Sequence, residues 1–394
     1  MRIEDGPCLM DRMAIEDGLR LTAYIGERDR AGGRLLADAL MDAFDRHGVR
    51  MSVLLRGIEG FGSKHRLQSE RLLTLSEDLP LLAIALDTET RIEALLEDVR
   101  ALSRHGVITL ERARLLSGSG AAAPPMPGHG LAAAGSRDLD VPATDAPGAD
   151  ATKLTIYIGR QDRVAGRAAH IAMVDCLHRH GVAGASVLLG LDGTAHGVRQ
   201  RARFLARNAR VPVMIQSVGE RASIAAALAE IAAMLRDAAM TLERVRVCKR
   251  DGVLLAEPQR PPAVDGAGLA YWQKLVVYTS EQSRHGEQPL HSALVRRLRR
   301  EGAAGATALR GQWGYHGEHQ PHGEAFWSLR RHVPVLTLVL DTPANMRRWF
   351  EIVDEMTAET GLVTSEIVPA LRAAGPGFAH GGLELAARRG HAAG

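Results

Sequence analysis

The sequence predicts an α+β protein built from three tandem copies of one βαββαβ unit. Three observations carry this. The segments LRLTAYIGERDR (19–30), TKLTIYIGRQDR (152–163) and QKLVVYTSEQSR (273–284) align without a gap. From Tyr24, Tyr157 and Tyr278 the same ruler reaches Arg30, Arg163 and Arg284, then Gly48, Gly181 and Gly302, Gly57, Gly190 and Gly311, and Gly60, Gly193 and Gly314. After a stretch of variable length come Pro80, Pro212 and Pro334, and Glu111, Glu243 and Glu366 close the units. A fixed period sustained over such lengths marks repeated folding units.

The elements follow in order. The first strand alternates, with Leu21, Ala23 and Ile25 on one face and Arg20, Thr22 and Tyr24 on the other. The first helix carries Leu36, Leu40 and Phe44 one turn apart, repeated in the third copy as Leu290, Leu294 and Leu298. His47-Gly48 and His180-Gly181 read as helix stops, because glycine tolerates the left-handed backbone beyond a last turn. The second helix shows Ile92, Leu95, Leu96, Val99 and Leu102, matched by Met346, Trp349, Phe350, Val353 and Met356. The order βαββαβ within ~100 residues is the split, ferredoxin-like arrangement.

The third strands, Leu81–Leu86 and Val335–Leu340, are apolar on both faces. An antiparallel sheet with one wet face alternates instead. The helices cover one face, so a neighbouring copy is expected to cover the other, packing the three units as an intramolecular pseudo-trimer. Tyr24, Tyr157 and Tyr278 are expected in that shared core.

The expected organisation is an N-terminal extension (1–18), domains at 19–116, 152–249 and 272–372, an Ala/Gly/Pro linker (117–151), a shorter linker (250–271) and a disordered tail (373–394). Linkers of these lengths have r.m.s. spans of about 35 and 25 Å, enough to reach an adjacent lobe.

Composition narrows the function. The formal net charge of +3 on 394 residues is no footprint for nucleic acid. Cys8, Cys176 and Cys248 lie far apart without a CxxC, which fits a reducing compartment. The N-terminus lacks a signal-peptide core, and no apolar run approaches the ~20 residues of a membrane helix. A cytoplasmic protein without membrane insertion is expected. No GxSxG, HExxH or P-loop motif appears, so no enzyme is expected.

With these residues in view, the chain resembles a PII-like family known as a domain of unknown function. The first copy carries YIGE-x-D-R, LRGIEGFG and LSEDLP together; the second keeps YIGRQDR, SVLLG and TLERV; the third keeps YTSEQSR and ALRGQWGYHG. The resemblance implies the fold of the PII superfamily, whose members are usually homotrimers that bind small effectors, often adenine nucleotides, between subunits. It implies readout loops near 57–79, 190–211 and 311–333 that engage a partner protein. Relatives encoded beside small fluoride channels suggest an ion transporter or channel as that partner. The TG-x-x-x-GRG signature of nucleotide-binding PII proteins is replaced here by LDTETR, SVGERA and LDTPAN.

Candidate ligand residues follow from loop chemistry. Gly57, Gly60 and Gly62 can bring backbone N–H groups to an anion, with Arg56, Lys64 and His65 close by. Gly190, Gly193, Gly311 and Gly314 are their counterparts. Arg30, Arg163 and Arg284 precede a helix N-terminus, where positive charge adds to the backbone dipole. The glycines equally serve chain turns, and the arginines equally serve salt bridges between lobes. The third copy carries GYHGEHQPHGE, whose His316, His319 and His322 with Glu318 suit a divalent metal. That set defines an alternative class, a metal-binding or metal-tolerance protein.

Overall fold

The computed structural model describes residues 13–62, 67–69, 78–118, 149–195, 198–201, 211–235, 239–316, 322–323, 333–375 and 378–387. Three α+β lobes follow one another along the chain, each with two helices and four main strands. Lobe 1 has strands Met13–Gly26, Met51–Phe61, Pro80–Thr88 and Gly106–Gly118, and helices Leu36–Arg46 and Glu89–Leu102. Lobe 2 has strands Asp150–Gly159, Gly184–Leu189, Pro212–Gly219 and Ala239–Arg250, and helices Ala169–Arg179 and Arg221–Met234. Lobe 3 has strands Trp272–Ser280, Ala306–Arg310, Pro334–Asp341 and Leu362–Val368, and helices Leu290–Arg300 and Pro343–Met356. In every lobe the first strand lies between the third and the fourth, and the second flanks the third, all antiparallel.

The recurring D-R and S-R pairs shape the entry to the first helix. The Asp29 carboxylate accepts the Gly26 N–H at 2.8 Å, and the Asp29 carbonyl accepts the Leu36 N–H at 2.7 Å. Asp162 repeats both bonds, and Ser283 supplies the equivalents in lobe 3. Between them runs a two-residue hairpin, Arg30–Ala31 against Arg34–Leu35 in lobe 1. The helix buries Leu36, Leu40, Met41 and Phe44. It stops at His47, and Gly48 follows at φ +59° with its N–H on the Asp45 carbonyl.

The third strands divide their side chains between two cores. Leu81, Ala83 and Ala85 pack under the helices of lobe 1. Leu82, Ile84 and Leu86 face a central core with Met214 and Val245 of lobe 2 and Val276 and Leu336 of lobe 3. Tyr157 and Tyr278 are buried in that core, with Tyr24 packed against it. Each aliphatic side chain taken fully out of water here contributes roughly 1.5–3 kcal/mol, which explains strands apolar on both faces.

Main-chain ladders join the lobes in a closed cycle. The far end of the lobe 1 second strand, Gly57–Phe61, pairs with Ala306–Leu309 of lobe 3. Strand Asp192–Ala195 of lobe 2 pairs with Ser52–Leu54 of lobe 1, and Trp313–His316 of lobe 3 pairs with Gly184–Val187 of lobe 2. The fourth strands run the other way round: 114–117 pairs with 239–242, 246–250 with 362–365, and 370–374 with 106–110.

Two expected irregular segments carry order. Residues 250–271 hold a short pairing at Val253–Leu254 and a turn in which Asp265 accepts the N–H groups of Ala267 and Leu269. The expected disordered tail from 373 is instead part of a hairpin, Ala370–Gly375 with Phe378–Gly382. Its first strand finds ladder partners on lobe 1, Leu383 and Ala386 are buried beyond it, and Asp265 accepts the Ala387 N–H. Of the 117–151 linker, only its two ends fall within the described residues.

Candidate functional site

Six charged side chains meet where the lobes converge. Each lobe sends one cation from its first strand, Arg20, Lys153 or Lys274, and one carboxylate from its fourth, Glu111, Glu243 or Glu366. All six are buried. Every cation pairs within its own lobe: Arg20 with Glu111 at 2.5 Å, Lys153 with Glu243 at 2.8 Å and Lys274 with Glu366 at 3.0 Å. Every cation also pairs with the next lobe: Arg20 with Glu243 at 2.7 Å, Lys153 with Glu366 at 2.5 Å and Lys274 with Glu111 at 2.5 Å. The cycle runs in the sense of the fourth-strand ladders.

Burial alone would raise the Glu111 and Glu366 carboxyls, but the surrounding cations overcome it and hold both below the usual carboxylate range. Burial likewise pushes the Tyr24 hydroxyl up to about 12. The three carboxylates sit close enough to suggest a metal set. The three cations already answer their charge, so the cluster is a knot between lobes and not a vacant site. The sequence signal was present: Arg20, Lys153 and Lys274 each stand four residues before an aligned tyrosine, on the face read as opposite the helices.

Among the described residues, a cleft of about 880 Å³ lies between lobes 1 and 3. Its apolar walls include Tyr24, Phe61 and Val107 from lobe 1 and Trp272, Leu338 and Leu340 from lobe 3. Arg28, His105 and His380 supply nitrogen donors. Asp29 is engaged by the Gly26 N–H, and Asp78 accepts from the Arg28 N–H at 2.7 Å and from Gln68 at 3.1 Å. The His105 Nδ1 is buried without a hydrogen-bond partner. His380 stands edge-on to Trp272 at 5.2 Å between ring centroids, and with Phe378 it brings the C-terminal hairpin into the wall. The loop stretch Gly62 and Leu67–Ser69 forms another side. A ligand here would touch two lobes, one loop and the hairpin at once.

The residues singled out from sequence scatter around this cleft. Gly62 lines it. Gly57 and Gly60 lie on the lobe 1–lobe 3 ladder, where an added Cβ at Gly60 would stand 2.7 Å from the Ala306 carbonyl oxygen. Gly193 and Gly314, at φ +150° and +152°, approach the neighbouring lobe more closely still: a Cβ would stand 2.1 Å from the Ser52 oxygen and 2.2 Å from the Ala185 oxygen. Gly190 and Gly311 pack against Pro212 and Pro334, the prolines that recur in the repeat. In these positions the glycines let strands of different lobes meet.

Arg30, Arg163 and Arg284 turn back to the carbonyls of Gly33, Gly166 and Glu287 within their own hairpins. Arg56 pairs with Glu27 at 3.1 Å. Lys64, His65, Glu318 and His319 lie outside the described residues. His316 and His322 fall on the strands Trp313–His316 and His322–Gly323 of the third loop. Sequence reasoning missed the cleft's Trp272, His105 and His380, because they converge from segments of low repeat similarity.

The lobes and their shared cleft define a three-repeat α+β protein with a cleft at a repeat boundary. The DUF190 family profile, described as an uncharacterized ACR, matches residues 18–115, 151–247 and 272–370. These matches span about three quarters of the chain, and the chain belongs to that PII-like family of unknown function. A UPF0166 protein of Aquifex aeolicus (strain VF5) is 25% identical over 91 residues, 23% of this chain and 86% of that protein. That protein thus corresponds to a single lobe.

Proposed function

We propose that the chain is a non-enzymatic, PII-like regulatory protein: three ferredoxin-like lobes closed into an intramolecular pseudo-trimer, with a small anionic effector bound between lobes 1 and 3. The carrying observation is that the base of the lobe 1 loop and the lobe boundary form walls of one cleft. A ligand that fills it can change how the loop is held, because a ligand shifts a conformation only by contacting it differentially. Arg28, His105 and His380 suit an anion, and the aromatic side chains of Tyr24 and Trp272 in the lining suit a planar ring, so an adenine nucleotide is the first candidate.

In this reading the loop engages a partner protein, and an ion transporter or channel is the proposed class. The setting is a reducing cytoplasm, which the unpaired thiols of Cys176 and Cys248 support.

Thermal-shift measurements with ATP, ADP, AMP and cyclic nucleotides test the effector, since a ligand stabilises the state that binds it. A rise in Tm with one of them, lost in Trp272→Ala, is expected; no rise with any sinks the nucleotide assignment. Solution mass tests the architecture separately: a monomer is expected, and an obligate trimer of full chains would overturn the closed pseudo-trimer.

A further inference from the structure

Lobe 2 brings together three different metal-ligating side chains. Cys176 lies on its first helix, His180 caps that helix one turn on, and Glu230 projects from the second helix. One donor atom from each falls within 4.8 Å of the other two. The His180 Nε2 is 2.9 Å from Glu230 Oε2, while Arg179 donates to Oε1 at 2.7 Å and, more weakly, to Oε2 at 3.4 Å. Cys176 is fully buried, whereas the His180 and Glu230 side chains are 29% and 33% exposed. The set therefore opens to solvent on one side and ends on a thiol at its floor.

Comparison between lobes isolates what is particular here. Lobe 1 repeats the pair as His47 and Asp98 at 3.1 Å, with Arg46 on the same carboxylate at 3.0 Å. There Ala43 occupies the Cys176 position. Lobe 3 carries Arg297 and Glu301 at the equivalent places, paired with each other at 3.2 Å. The histidine–carboxylate pair alone is thus a helix-end ion pair. In lobe 2 the added sulfur converts it into a mixed S, N, O donor set.

We propose that Cys176 Sγ, His180 Nε2 and Glu230 Oε2 form a binding site for a thiophilic divalent cation of the zinc class, with water at the remaining position. Thiolate, imidazole and carboxylate are the three donors zinc takes in proteins, and sulfur selects against magnesium and calcium. Binding replaces the thiol proton and the Nε2 proton that His180 donates to Glu230; the first leaves to solvent, and the second shifts to Nδ1 as the ring takes its other neutral tautomer. The Arg179 bond to Oε1 then orients the carboxylate from outside the coordination shell. This site lies within lobe 2 and is independent of the effector reading for the cleft between lobes 1 and 3.

Cobalt(II) titration of the full chain tests it, in a Cys8→Ser background that removes the one thiol outside the described residues. A thiolate-to-cobalt charge-transfer band is expected, bleached by added zinc. Cys176→Ala should abolish the band, and His180→Ala should weaken binding by roughly tenfold or more. Because Ala43 fills the same place in lobe 1, Cys176→Ala is expected to fold, which its thermal melt checks. The triple variant His316→Ala/His319→Ala/His322→Ala should keep the band. Absence of a band in the Cys8→Ser protein overturns the site, as does a band that survives Cys176→Ala or is lost with the loop histidines.

Discussion

Lys153 of lobe 2 holds its Nζ 2.5 Å from Glu366 Oε2 of lobe 3, with both side chains buried. The contact is one link in a cycle of six charges, each touching its own lobe and a neighbour. Hydrophobic burial is non-directional; this cycle adds direction, because a lobe rotated out of place would leave a charge unanswered in a dry interior.

Removing one charge should therefore cost far more than a surface pair would. Lys153→Met leaves Glu243 and Glu366 short of a buried partner, and a loss of about 3–5 kcal/mol is expected. Urea unfolding midpoints measure it; a loss of under about 1 kcal/mol would show that the remaining cations satisfy the knot alone.

The knot also sets an acid dependence. Glu111 and Glu366 titrate lower in the folded chain than in the unfolded one, since nearby lysines and arginine outweigh burial. The folded state thus binds fewer protons, and its advantage is present above the unfolded-chain value of ~4.3. It is lost as pH falls below that value and through the folded-state values. Denaturation from pH ~7 to ~3 should show stability falling steeply at the acid end, with a shallower fall in Glu366→Gln.

Gly193 and Gly314 test the inter-lobe ladders. An alanine at either place drives a Cβ into a carbonyl of the next lobe, at 2.1 and 2.2 Å before relaxation. Each substitution should destabilise by about 1–3 kcal/mol, read from thermal and urea unfolding midpoints. Gly62→Ala, where nothing lies within 4 Å, should be silent in the same assays.

The thiols give a further check. Burial pushes both the Cys176 and the Cys248 thiol up to about 12. Since the thiolate is the nucleophile, alkylation of the metal-free native chain near neutral pH should spare both residues until it unfolds. Mass-spectrometric mapping of labelled peptides reads this directly; rapid native labelling of Cys248 would contradict its burial.

Much of the architecture was legible in the order of residues. Strict alternation in the first strand and the i, i+4 spacing of Leu36, Leu40 and Phe44 report local geometry, and local geometry is written locally. Two-faced apolarity in Leu81–Leu86 even implied a cover from other lobes. The hairpin at 370–382 was not legible, because its Gly- and Ala-rich strands are held by ladder partners supplied by lobe 1 and not by a pattern of their own.

The repeat ruler determined that there are three units, where each begins, and which positions recur. It did not determine why they recur. Gly193 and Gly314 look like loop glycines until the Ser52 and Ala185 carbonyls of other lobes stand against them. Arg30, Arg163 and Arg284 recur in the ruler, and the structure adds that each donates to a carbonyl of its own hairpin, those of Gly33, Gly166 and Glu287. Only the tertiary structure brought Trp272, His105 and His380 to one cleft, and Arg20 within reach of Glu243 across 223 positions. Periodicity records what each chain segment does by itself; contacts between lobes depend on how three closed surfaces meet, and that is decided by packing.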